Sequence, residues 1–121
     1  MGTRIDGPGL AKLEALESAV ALWQRVHAII ERMAGAQRMQ QNLVPFRQQI
    51  QRAAAPLASL LKPQFGPISD MVTNLVLVST RGGSDGARVR ALRESVAQVK
   101  VQIDAAGSRV RKQHTVEDNT E

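Results

Sequence analysis

The sequence predicts an all-α fold: an antiparallel up-down-up-down four-helix bundle with a kinked second helix and a short third helix. Apolar residues recur at alternating three- and four-residue steps from Val89 to Val110, which is the spacing of a helix that buries one stripe. Aromatic residues make up only 2% of the chain, so aliphatic side chains must fill the core, as they do in many helical bundles. Segments rich in Gly and Pro separate four stretches of helical length.

The first helix is predicted from about Gly9 to about Met39, after a turn-like entry in which Pro8 suits a helix start. Its apolar seam has helical spacing and consists of Leu13, Leu16, Val20, Trp23, His27, Ile30 and Ala34. Further apolar residues widen this stripe in the second half of the helix, so that it can contact two neighbours. Gly35 either ends or loosens the helix, and the sequence leaves both outcomes open.

The second helix is predicted from Pro45 to Leu61. One helical phase continues across Pro56, which favours a kink within a single helix, with two shorter helices as the alternative. The third helix is predicted from Pro67 to about Thr80. A strand is the alternative for its apolar run 75–78, but the sequence offers no second strand to pair with it.

The fourth helix follows a Gly-rich loop, with Ser84 or Asp85 as its N-cap, and extends to about Lys112. Its seam contains Val89, Leu92, Val96, Val99, Ile103, Ala106 and Val110. Short connectors make consecutive helices antiparallel neighbours. We therefore expect a single helical-bundle domain over residues 1–121, with flexible ends at about 1–8 and 113–121.

The composition excludes several kinds of chemistry. The chain has no cysteine, and hence no disulfide, Cys-ligated zinc or thiol nucleophile. No Gly-x-Ser-x-Gly elbow, catalytic carboxylate pair or Ser-His-Asp set can be assembled, so we predict neither an enzyme nor a cofactor.

His27, on the apolar seam, is the one residue that suggests otherwise. A structural, hydrogen-bonded histidine is favoured there, and a haem or metal ligand is the minor alternative.

The primary functional hypothesis is a non-enzymatic interaction or assembly module that acts through helix–helix packing. The partner is a second copy of the chain or another protein. The regular seam of the fourth helix motivates this hypothesis. The predicted contact residues are the apolar Val96, Val99 and Ile103, with Arg93 and Lys100 flanking them.

The alternative is a small basic nucleic-acid-binding protein. The net charge of +5 and the isoelectric point of about 10.7 suit an anionic partner. The cations predicted to contact phosphates lie on the fourth helix: Arg88, Arg90, Arg109, Arg111 and Lys112. No aromatic residues interleave with them, which weakens base stacking as a mechanism. The loop 81–86 could also bind a phosphate, although a plain connecting loop is favoured.

No apolar stretch reaches the length of roughly 20 residues that a transmembrane helix needs. The first ten residues lack the apolar core of a signal peptide. If an export signal has been removed, however, the sequence would not show it. The compartment therefore stays open between the cytoplasm and an exported location.

From Pro67 onward the order of features resembles the C-terminal helical region of large bacterial proteins with sortilin-like BNR-repeat propellers. Those features are Pro67-Ile68, a short apolar helix, the Ser84-Asp85 turn and then a regular seam. The segment Leu22-Trp23-Gln24-Arg25 is similar to the start of their preceding helix. The proline that usually follows the Asp turn is missing, since Ala87 and Arg88 stand there, and there is no propeller. The resemblance implies an accessory helical bundle in an exported protein, without an active site.

Overall fold

The computed structural model describes residues 2–118 and confirms the all-α bundle. The described part of the chain contains four helices and two short strands. In chain order they are β1 (Gly2–Ile5), α1 (Gly7–Arg38), α2 (Val44–Leu61), α3 (Gly66–Thr80), α4 (Asp85–His114) and β2 (Thr115–Asp118). Each helix packs against the next and α4 packs against α1, so the four helices form a closed ring around one core.

Side-chain caps determine where the two long helices begin. The Asp6 carboxylate accepts a hydrogen bond of 2.7 Å from the Gly9 backbone N–H, and α1 therefore begins at Gly7, two residues earlier than predicted. The Ser84 hydroxyl accepts the corresponding bond from the Ala87 N–H at 3.1 Å, which confirms Ser84 as the N-cap of α4. Helix α4 ends at His114, two residues later than predicted.

The alternatives left open within the helices are also decided. Helix α2 runs continuously through Pro56, so the single-helix prediction is confirmed. The segment 75–78 lies inside the helix α3, and the strand alternative is wrong. Helix α1 continues past Gly35 to Arg38, so this glycine does not end it.

The predicted seam of α4 is buried along its whole length, whereas that of α1 is buried only in part. All seven predicted seam residues of α4, from Val89 to Val110, are 5% exposed or less. In α1 the second half of the predicted seam is buried at Ile30 and Ala34, together with residues of the widened stripe. By contrast, Val20, Trp23 and His27 are only partly buried, because the core-facing side of α1 passes through Ala19 and Val26 instead.

The two interhelical loops 39–43 and 81–84 lie at the same end of the bundle, which we call the loop end. Two contacts bring them together. The Arg47 Nη2 atom at the start of α2 lies 3.7 Å from Asp85 Oδ1 at the start of α4. The Gln37 side chain of α1 lies beside Gly86. Four helix termini and two loops therefore meet in this region.

The opposite end of the bundle, which we call the strand end, is closed by β1 and β2. These strands pair antiparallel, from Gly2 opposite Asp118 to Ile5 opposite Thr115. The sequence predicted flexible ends at about 1–8 and 113–121 and no strands. Because the long α1 and α4 extend beyond the α2–α3 turn, both ends of the described chain meet at this point. Met1 and residues 119–121 lie outside the described residues.

A small polar cluster joins the strands to the helices. The His114 Nδ1 atom lies 3.0 Å from Asp6 Oδ1, and its Nε2 atom lies 3.2 Å from Lys12 Nζ. The Asp6 N–H also donates to the His114 carbonyl at 3.0 Å. The hydrogen bond from the Gly9 N–H, followed by that from His114, holds the pKa of Asp6 below its ordinary value of 3.8, although desolvation opposes this.

Candidate interaction site

The predicted apolar contact residues belong to the protein's own core. Val96, Val99 and Ile103 are 2%, 1% and 2% exposed, respectively. They face the interior of the ring formed by the four helices, and of the three only Ile103 also borders an open groove. Their contact with a partner stays a prediction, since in the folded bundle they pack into the protein's own core. The spacing that indicated a seam was right, but the bundle itself covers that seam.

Arg93 and Lys100 flank the seam on the side of α4 that faces α1, and both already have carboxylate partners. The Arg93 guanidinium donates two bonds to Glu31 of α1, from Nε at 3.2 Å and from Nη2 at 2.7 Å. This pair holds the pKa of Glu31 below its ordinary value of 4.5. Lys100 donates to both oxygens of Asp104, each at 2.8 Å. The Arg93–Glu31 pair thus joins α4 to α1, whereas the Lys100–Asp104 pair lies within α4.

His27 stacks on Trp23 with a centroid separation of 4.8 Å and an interplanar angle of 9°. Its Nε2 atom lies 3.5 Å from Glu31 Oε1, and 42% of the side chain is exposed. The Trp23 indole donates to the Val96 carbonyl at 2.8 Å, and Lys100 Nζ lies 5.9 Å from the ring centroid. Within residues 2–118 no three His, Asp or Glu side chains converge on a point that could hold a metal. His27 is therefore part of a stacked pair at the rim of the α1–α4 contact.

The largest open feature beside these residues is a groove of about 670 Å³ on the outer side of the α1–α4 contact. We call it the α1–α4 groove. Leu13 and Val20 of α1 are half-buried in it, while Leu16 and Ile103 form its floor. It is lined by Leu13, Leu16, Glu17, Val20, Ile103, Asp104, Gly107, Ser108 and Arg111. The early part of the predicted α1 seam thus faces an unfilled groove.

Sequence reasoning placed all of the α1 seam in the core and so missed this groove. The sequence does contain a signal for the groove, namely the change in width of the apolar stripe along α1. In the second half of α1 the apolar residues cover two adjacent faces, whereas near Leu13 and Val20 they follow one face only. Only the packing of α1 against α2 decides which of these faces the core covers.

The cations predicted to bind nucleic acid do not form one patch. Arg88 is only 8% exposed, and its guanidinium donates to the carbonyl of Arg81 at 3.0 and 2.7 Å and to Asp85 at 2.6 Å. It is thus occupied by contacts within the α3–α4 loop. Arg90 is exposed near the loop end. The exposed Arg109, Arg111 and Lys112 lie roughly 28 Å further along α4, at a rise of about 1.5 Å per residue.

No helix in the described part of the chain is long and apolar enough to cross a bilayer. Comparison with family models, with curated proteins and with solved structures yields no match to this chain. The resemblance to the helical region of sortilin-like BNR-repeat proteins accordingly stays a prediction.

Proposed function

We propose that this chain is a non-enzymatic interaction module whose α1–α4 groove receives a helix of a second copy. The observation that carries the proposal is the groove itself, where Leu13 and Val20 remain half-buried beside an open volume of about 670 Å³. Contiguous apolar surface that is rimmed by polar residues commonly marks an interaction site. A helix lying in such a groove would bury the apolar surface that the bundle leaves uncovered.

The shape of the groove supports a helix as the occupant. Gly107 and Ser108 are small residues on its α4 side, which allow the backbone of a docked helix to approach closely. The groove follows the two longest helices, so an occupant aligned with them has several turns to contact. Packed helices lie about 8–10 Å apart, and the smaller separations require small side chains at the contact.

The charges on the rim support a second copy. Glu17, Asp104 and Arg111 line the groove, so its rim carries charges of both signs. In a two-fold symmetric contact each residue meets a residue of the same patch on the other copy. A rim of mixed sign can satisfy such a contact, whereas a rim of one sign would repel its own copy.

The test is sedimentation velocity from micromolar to millimolar concentrations, with two double variants that each remove two apolar side chains. We expect the wild type to dimerise as concentration rises and Leu13→Gln/Val20→Gln to dimerise much more weakly. Leu77→Gln/Val101→Gln, which alters exposed residues outside the groove, is the control and should dimerise like the wild type. Circular dichroism checks that both variants remain folded. A wild type that stays monomeric throughout would contradict the proposal.

A further inference from the structure

The net charge of the protein is concentrated at the loop end. The segments 31–52 and 77–94, which build that half of the bundle, contain eight arginines and only three carboxylates, Glu31, Asp85 and Glu94. That excess equals the net charge of +5 of the whole chain. The remainder of the sequence has eight cations and eight carboxylates. The bundle is thus strongly basic at one end and balanced at the other.

The amino-acid sequence shows the origin of this asymmetry. Between Glu31 and Asp70 it contains no acidic residue, although this segment includes the last turns of α1, the loop 39–43 and all of α2. The polar positions of this segment are filled mostly by glutamine and arginine. Such a stretch keeps the surface hydrated without neutralising its cations.

Several of these arginines are exposed and form no salt bridge among residues 2–118. Arg88 and Arg93 are held by Asp85 and Glu31, respectively. Five others are exposed and have no carboxylate within 4 Å among residues 2–118, namely Arg32, Arg38, Arg52, Arg81 and Arg90. Of these, Arg38 and Arg81 border the two loops. An anion approaching this end would meet cations that do not have to give up an existing partner.

Exposed apolar side chains accompany these cations at the tip. Met39 is 72% exposed and Val44 is 48% exposed, one on each side of the α1–α2 loop. The loop itself is well anchored. Gln40 adopts a left-handed conformation with φ of 56°, Gln41 N–H donates to the Ala36 carbonyl at 2.9 Å, and Leu43 is buried. Met39 and Val44 are therefore held outward by an ordered turn.

We propose that the loop end binds the surface of an anionic phospholipid bilayer. Arg38, Arg81 and Arg90 would contact the headgroup phosphates and carboxylates, while Met39 and Val44 would enter the boundary with the acyl chains. Peripheral membrane binding combines these two contributions, since it strengthens with buried apolar area and with cations near an anionic surface. This surface is separate from the α1–α4 groove, so the inference goes beyond the proposed function.

The apolar tip is what favours lipid over nucleic acid. A phosphate backbone would use the arginines but would gain little from Met39 and Val44. Surfaces that bind single-stranded nucleic acid without sequence preference usually add aromatic side chains on which the bases stack. At this end the one aromatic residue is Phe46, which is partly buried against the core. The proposal consequently requires the arginines and the two apolar residues to contribute together.

The experiment measures co-sedimentation of the full chain with vesicles of phosphatidylcholine alone or mixed with phosphatidylserine, at low and at physiological salt. We expect binding to the mixed vesicles that weakens with salt, and little binding to neutral ones. Arg38→Gln/Arg81→Gln should bind the mixed vesicles at least about tenfold more weakly. The control Arg109→Gln/Lys112→Gln removes the same charge from the strand end and should lose much less. An equal loss in both variants would overturn the proposal.

A second pair of variants tests the apolar contribution. Met39→Ser/Val44→Ser should bind the mixed vesicles several-fold more weakly. The control Leu10→Ser/Val101→Ser, which alters exposed apolar residues away from the loop end, should bind like the wild type. Binding by Met39→Ser/Val44→Ser that equals the wild type overturns the proposal. So does tighter binding to a DNA or RNA duplex than to the mixed vesicles at the same salt, which would favour the nucleic-acid interpretation. Thermal melts confirm that these exposed substitutions leave the bundle folded.

Discussion

The two ends of this bundle are closed by different means. At the loop end the chain itself connects the helices, and the buried Arg88 ties the end of α3 to the start of α4 through the Arg81 carbonyl. At the strand end no connection exists between α1 and α4, and the closure consists of backbone pairing between β1 and β2 with the Asp6–His114 contact behind it. Helices that a loop joins covalently stay together even where their charges repel each other. Segments that meet only through non-covalent contacts need complementary charges or hydrogen-bonding groups.

The charge distribution follows this difference. Repulsion among the loop-end arginines cannot separate helices that short loops hold together. At the strand end the same repulsion would act against a two-stranded sheet, which is at best marginally stable in water by itself. There the acids and bases are balanced, and Asp6 contacts both a helix N–H and His114.

The largest effect is expected at Arg88 of the loop end. Arg88→Met keeps much of the buried stem but removes the hydrogen bonds to the Arg81 carbonyl and to Asp85. We expect a loss of about 2–3 kcal/mol in the free energy of unfolding, because these bonds involve a charged donor that is nearly inaccessible to water. Urea denaturation measures it. Arg90→Met is the control, and an equal loss there would contradict the structural role of Arg88.

The next effect concerns the close approach at the strand end. A Cβ atom on Gly9 would lie 2.5 Å from the His114 Cβ and 2.6 Å from the Ile5 Cγ2, so Gly9→Ala should push β1 and α4 away from α1. We expect a cost of about 1–3 kcal/mol, limited by local opening of the strand end. Amide hydrogen exchange should show lost protection in β1 and β2 before the core is affected.

The matched control for this substitution lies two residues earlier. Gly7→Ala places its Cβ in open space in the same helical turn and should leave exchange at the strand end unchanged. Alanine favours a helix more than glycine does, so helix propensity cannot open the strands. Equal opening in Gly7→Ala and Gly9→Ala would contradict the role of close packing at Gly9.

The smallest effect is the pH dependence of the strand end. Because the folded-state pKa of Asp6 is lowered, the carboxylate stabilises the fold above about pH 4, and this contribution is lost as the pH falls through the folded pKa. Asp6→Asn retains an oxygen that can cap α1 but not the charge, so its stability should depend less on pH in the acid range. Denaturation at several pH values measures this. An NMR titration that gives Asp6 a pKa at or above 3.8 would contradict it.

Much of the fold was predictable from the sequence because α4 has a single regular stripe. Val89 to Val110 mark one face, and a helix with one apolar face has one way to bury it. The first helix was less predictable. Its apolar residues cover two adjacent faces, and the one containing Val20 and His27 was placed in the core when in fact it lies at the rim. The α1–α4 groove was missed for that reason.

The strands were not predictable from local sequence. Each has only four residues, and each is paired with a segment more than a hundred positions away. Their formation depends on the lengths of α1 and α4, which bring Ile5 and Thr115 together once the helices have packed. The neighbouring sequence can indicate that Asp6 is an N-cap. It cannot indicate that Asp6 contacts His114.

The sequence alone determined the number of helices, their approximate limits, the aliphatic core and the uneven distribution of acidic residues, because helical periodicity and composition are local properties. Tertiary structure decided which apolar stripe is covered, which arginines are occupied and how the chain ends meet. Those outcomes depend on which faces of neighbouring helices come into contact, and a single segment does not contain that information.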